Sequence, residues 1–156
     1  MSTFLKQFER VKRYLNKIED QDRDSTAYDD DLWSFFQNCH HLKDWIKNDP
    51  DVADEVKGEK GTRIEEFVGS NRGLRICADL ANRSKHSELT RSSRVDAKVT
   101  SRNTTIYVPT AGSDSVGTTT CEHTITLGDG SKRIALDVAR KAVKAWESFL
   151  SENKLI

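Results

Sequence analysis

Apolar side chains return at three- and four-residue steps from the start of the chain. Phe4, Phe8, Val11, Leu15 and Ile18, with lysines and arginines between them, predict an amphipathic helix over residues 3–20. A polar, acidic stretch from Gln21 to Asp31 follows and reads as a loop leading to an N-terminal cap. Asp29, Asp30 and Asp31 suit the positive end of a second helix, predicted over about 29–48. Its apolar face carries Leu32, Phe35, Phe36, Cys39, Leu42 and Ile46, with Trp33 and Trp45 at the edges. Asp49-Pro50 reads as a cap followed by proline at a first helical position. The third helical region is weaker, is broken near Gly58 and Gly61, and reaches about Gly69. A fourth helix, from about Arg72 to Leu89, buries Leu74, Cys77, Leu80, Ala81 and Ser84.

Beyond that helix the period changes. Residues 94–108, RVDAKVTSRNTTIYV, are rich in threonine and β-branched side chains, as strands are. Residues 109–119 read as a mobile loop of small and polar residues. TCEHTITL, residues 120–127, alternates and places Cys121, His123, Ile125 and Leu127 on one face; Gly128-Asp129-Gly130 is a turn. A closing helix over about 133–152 carries Leu136, Ala139, Val143, Trp146 and Leu150 on its inner side. The expected fold is α+β. It is a helical bundle of four to five helices with a β-hairpin inserted at about 94–134, before the C-terminal helix, in one domain over residues 1–156. Phe36, Cys39, Leu42, Ile46, Leu80, Val143, Trp146 and Leu150 are expected to share the core.

Composition narrows the setting. At 156 residues the chain can bury a real core, and two prolines and eight glycines exclude a fibrous protein. Cys39, Cys77 and Cys121 are far apart and form no CxxC pair, which speaks against a disulfide scaffold or a zinc ribbon. The opening MSTFLKQFER has no apolar run of the signal-peptide kind, and no stretch reaches membrane-spanning length. A cytoplasmic protein without a membrane partner is the expectation.

The net charge of zero hides an asymmetry. From Glu19 to Lys60 there are thirteen acidic and five basic residues; from Arg72 to Arg102 there are eight basic and three acidic ones. Arg72, Arg75, Arg83, Lys85, Arg91, Arg94, Lys98 and Arg102 can form a phosphate-holding patch or solvate exposed faces and pair with the acidic segment. No aromatic residue interleaves with them before Tyr107, so base stacking is not signalled.

Within the fourth helix, Arg75, Asp79, Asn82 and His86 are spaced by four, three and four residues, which aligns them on one face. That face is expected to point away from Leu74, Cys77 and Leu80, with Arg72 and Arg83 flanking it. A proton carrier near neutral pH and cations for a developing phosphorane charge are what a metal-independent ribonuclease needs. Ordinary i,i+4 pairing on a solvated face, or a protein interface, uses the same residues. On the second helix His40 and Asp44, or His41 and Asp44, are neighbours, but a metal site needs a third ligand from elsewhere. No cofactor or metal is expected. There is no GxxxxGK[ST] loop, no HExxH and no GxSxG.

The phrases NCHHLKDWI (residues 38–46), LRICADLANRSKHSEL (74–89) and DVARKAVKAWESFL (137–150) resemble those of small bacterial and phage-borne proteins. In outline the chain resembles the HEPN superfamily of helical bundles. The resemblance implies a bundle that works through dimerisation or protein contact in a bacterial or phage defence or toxin–antitoxin setting. RNA cleavage is the alternative it implies, because active members carry an Arg and a His with four to six residues between them, often at a dimer interface. Here Arg83 precedes His86 with two residues between, so only His86 carries over. The expectation is therefore a protein-binding or homodimeric bundle. Its binding residues are Arg72, Arg75, Asp79, Asn82, Lys85, His40, His41 and Asp44; an RNA-directed alternative rests on His86 and Arg83.

Overall fold

The computed structural model describes residues 2–20, 25–85, 95–107 and 118–156. Among the described residues six α-helices are formed, α1 (Thr3–Glu19), α2 (Ser25–Asn48), α3 (Asp54–Lys57), α4 (Thr62–Ser70), α5 (Arg72–Lys85) and α6 (Ala135–Glu152). Strands β1 (Lys98–Tyr107), β2 (Thr118–Thr126) and β3 (Lys132–Ile134) lie between α5 and α6. The protein is thus a mainly helical α+β fold with a small antiparallel sheet before the closing helix. The sheet order is β1-β2-β3, so the expected hairpin gains a short third strand that runs straight into α6. The loop expected at 109–119 falls mostly outside the described residues, as does the far end of the fourth helix.

The apolar stripes read from the sequence meet in one core. Phe36, Cys39, Leu42, Ile46, Leu80, Val143, Trp146 and Leu150 are all buried within it. Phe67 from α4 completes an aromatic corner with Trp146 and Phe149, with ring centroids 5.2 and 4.5 Å away. Cys39 on α2 and Cys77 on α5 meet inside the bundle, where burial pushes the Cys77 thiol well above its usual range and the Cys39 hydrogen bond adds to the shift.

Two boundaries differ from the expectation. Helix α2 begins at Ser25, four residues before the aspartate triplet. The extra turn is anchored by Tyr28, which is buried, and burial pushes its phenol up to about 12. The aspartates are therefore inside the helix. Asp29 turns to the sheet, and Asp31 faces Lys17 of α1 at 3.3 Å. Nor does Asp49-Pro50 start a helix; the chain turns there and α3 begins only at Asp54. Instead the buried Asp49 carboxylate caps α1, accepting the Thr3 hydroxyl at 2.6 Å and the Phe4 amide at 3.0 Å. Burial would raise this carboxyl, but those hydrogen bonds hold it below the usual range.

The sheet is pinned to the bundle by polar contacts. His123 points inward from β2, as alternation predicts, and is 4% exposed. Its Nε2 lies 2.9 Å from Asp29 Oδ1, and its ring is tilted against Tyr28 with centroids 5.1 Å apart. An ionised carboxylate only accepts, so Nε2 carries the hydrogen. Arg102 of β1 donates to the same oxygen at 3.0 Å.

Candidate interaction site

The residues singled out on α5 do not form one exposed face. Asp79 is 1% exposed and turns inward, against the expectation. Its Oδ2 accepts the amide hydrogens of Val95 at 2.9 Å and Ala97 at 3.3 Å. The chain entering β1 lies across the helix, so residues 76–81 are buried without a break. Arg83 is likewise engaged with that segment. Its Nε donates to the Ala97 carbonyl at 2.8 Å and its Nη2 to Asp96 Oδ1 at 2.6 Å. Both residues thus hold the root of the hairpin. Asn82 is exposed. Lys85 closes α5, while its side chain and all of His86 lie outside the described residues.

At the other end of α5 a cleft of about 550 Å³ opens toward solvent, lined by Arg72, Arg75, Val95, Asp96, Leu127, Gly128 and Asp129. Local sequence explains its walls. Asn71 caps α5, its Oδ1 accepting the Leu74 amide at 3.1 Å, which sets Arg72 and Arg75 in the first turns. Opposite them, Gly128 lets the β2–β3 turn press on the 95–96 segment. A Cβ at 128 would stand 3.0 Å from that of Asp96, and the Gly128 amide donates to the Val95 carbonyl at 3.0 Å.

The charges of the cleft are unevenly matched. Asp129 accepts from Arg72 at 2.9 Å and from the Ser131 hydroxyl and amide at 2.5 and 2.9 Å. Those Ser131 hydrogen bonds, with Arg72 adding to them, hold its carboxyl below the usual range. Asp96 is shared between Arg83 and Lys98, the latter at 3.7 Å. The Arg75 side chain meets no acid and no hydrogen-bond acceptor among the described residues, although its Nε is buried and the residue is half-buried. A partly desolvated cation without an acceptor carries an unoffset cost. The sequence placed Arg75 in a row of equivalent basic residues; only tertiary pairing separates it from Arg72 and Arg83.

The α2 candidates sit elsewhere. His40 and His41 are half-buried with ring centroids 6.0 Å apart, and Asp44 pairs with Lys47 at 2.9 Å. No cluster of three or more His, Cys, Asp or Glu suited to a metal ion occurs among the described residues. No described helix is long and apolar enough to cross a membrane.

Comparison with protein-family models, curated proteins and solved structures finds no match.

Proposed function

We propose that this chain is a HEPN-like bundle that acts through protein contact, receiving an acidic group of a partner in the cleft between α5 and the β2–β3 turn. The observation that supports this reading is the unpaired, half-buried Arg75 guanidinium in that cleft. Its planar fork suits a carboxylate, which can take two parallel N–H donors. Val95 and Leu127 offer apolar contact beside it, as a peptide side chain would use. The rim acids Asp96 and Asp129 favour an isolated acid over a nucleic-acid backbone, because a run of phosphates would have to pass both. The resemblance extends the proposal to a defence or toxin–antitoxin setting.

The test follows the Arg75 Nε–Hε resonance while a short neutral-ended peptide, Ac-Leu-Glu-Leu-amide, is added, with a single-stranded RNA oligomer in a parallel titration. A saturable shift with the peptide, lost in Arg75→Gln, supports the reading. Response to RNA alone, together with RNA cleavage that disappears in His86→Ala, replaces it by the RNA-directed alternative. No response to either probe overturns the cleft as a binding site.

A further inference from the structure

Strand β1 lies at the edge of the sheet, and among the described residues no strand pairs with its outer side. It is ten residues long, whereas β3 covers only Thr124, Ile125 and Thr126 of β2. Over the rest of their length β1 and β2 form a two-stranded ribbon. Arg102, Asn103, Thr104 and Thr105 are exposed in succession, so both faces of β1 are open there. That ribbon rests on the bundle through the buried Cys121 and His123 of β2, while β1 has no strand on its outer side among the described residues. An edge whose outward amides and carbonyls have no backbone partner among the described residues is also a template for another strand.

The two halves of this edge are treated differently. The entry half carries Lys98 and Arg102 and a register shift between Val99 and Ser101, devices that keep edges from pairing. Residues 103–107, NTTIY, carry no charge, no proline and no glycine. A strongly charged partner strand gains nothing against this stretch. A second copy meets it without like charges in opposition, and each copy supplies the third strand that the other ribbon lacks.

We propose that two copies of this chain join their β1 edges antiparallel about a two-fold axis at Thr104, forming one six-stranded sheet. Antiparallel partners must both turn their amides and carbonyls outward, so paired positions in identical strands share parity and the axis falls on a residue. With the axis at Thr104, Asn103 faces Thr105 of the second copy, and Arg102 faces position 106. The contact is separate from the Arg75 cleft and does not depend on it.

Sedimentation velocity on the full chain tests this. The wild type is expected to dimerise with rising concentration. Thr104→Lys and Thr104→Glu each place like charges across the axis and should weaken the dimer about tenfold or more, with unchanged far-ultraviolet dichroism. An equimolar mixture of the two variants should dimerise again, which requires position 104 to meet itself. A wild type that stays monomeric at every concentration overturns the proposal. So does a dimer that survives both charge variants, or a mixture that stays monomeric. If either variant misfolds, Thr104→Cys decides, made with Cys121→Ser because Cys121 pairs with position 104 across the ribbon: a disulfide dimer under mild oxidation, absent in an Asn82→Cys control with the same Cys121→Ser change, supports the contact, and its absence overturns it.

Discussion

The Asp79 carboxylate accepts the Val95 amide hydrogen at 2.9 Å, joining the middle of α5 to the chain that enters β1. The same oxygen takes the Ala97 amide, and Asp79 is buried. Removing the carboxylate therefore strands two amides at the hairpin root. Hydrogen bonds to a charged group contribute about 1.5–3 kcal/mol each, and orphaned donors add to the loss. Asp79→Ala should lower stability by about 3 kcal/mol or more, while Asp79→Asn keeps one acceptor oxygen and should cost less. Urea unfolding of the two variants checks the order. Equal, negligible losses would mean that the hairpin is held by other contacts.

That relationship also shows where sequence reading stopped. A 3.6-residue period marks one inner face of α5, and Leu74, Cys77, Leu80 and Ala81 are buried as expected, while Ser84, expected beside them, is exposed in the last turn. The opposite side is solvated if nothing crosses it, and on that ground the helical period alone puts Asp79 at the surface. The crossing segment starts sixteen residues later, and no local pattern announces it. The partners Asp29 and His123 are 94 residues apart, and alternation along β2 shows only that His123 faces inward. Helical faces are local and were legible, down to the breaks at Gly58 and Gly61. Which charge meets which is a tertiary property, so the special position of Arg75 was not.

The core prediction rests on the paired stripes of α2 and α6. Leu42 and Leu150 are both 0% exposed. Truncating either to Ala removes buried methyl groups and leaves a cavity, for about 2–5 kcal/mol. Thermal unfolding should show both variants clearly less stable than wild type. An unchanged Tm in both would refute the packing.

Of the four carboxylates lowered among the described residues, Asp129 lies on the exposed rim of the cleft, and Glu65, Asp29 and Asp49 shape the acid limb of stability. Burial alone would raise Glu65, but hydrogen bonds from Lys47 and Lys43, at 2.7 and 2.9 Å, bring it down to about 2. Asp29 is lowered in the same way, burial being outweighed by the hydrogen bonds of His123 and Arg102, and Asp49 by those of Thr3 and Phe4. A carboxyl lowered in the folded chain binds fewer protons there than in the unfolded one, so stability rises with pH through that interval. Its contribution is complete above the unfolded values near pH 4 and is lost as pH falls through the lowered folded ones. Glu65 lies near the surface, so solvent screening keeps its share small. Denaturant midpoints should decline on acidification below about pH 4, with a shallower slope in Asp29→Asn. An identical slope in Asp29→Asn would remove Asp29 as a contributor.

Arg75 sets binding against stability. A half-buried cation with no acceptor among the described residues weakens the free protein, because its lost hydration is not replaced. A flexible apolar side chain of similar length keeps the cleft wall filled and removes that cost. Arg75→Met should therefore unfold at the same or higher denaturant concentration, with a gain of about 0.5–1 kcal/mol. Arg72 offers the contrast. It donates to Asp129 at 2.9 Å and to Ser131 at 3.3 Å, so Arg72→Met gives up formed contacts on an exposed rim. Exposed ion pairs contribute about 0–1 kcal/mol, and a small loss is expected there. The two arginines then separate by the sign of their effect. Arg75→Met should combine unchanged or improved stability with loss of the acidic-peptide response, the pattern of a residue kept for a ligand. If Arg75→Met is instead destabilised as much as the Leu42→Ala core variant, the guanidinium has a structural partner and the cleft loses its claim as a binding site.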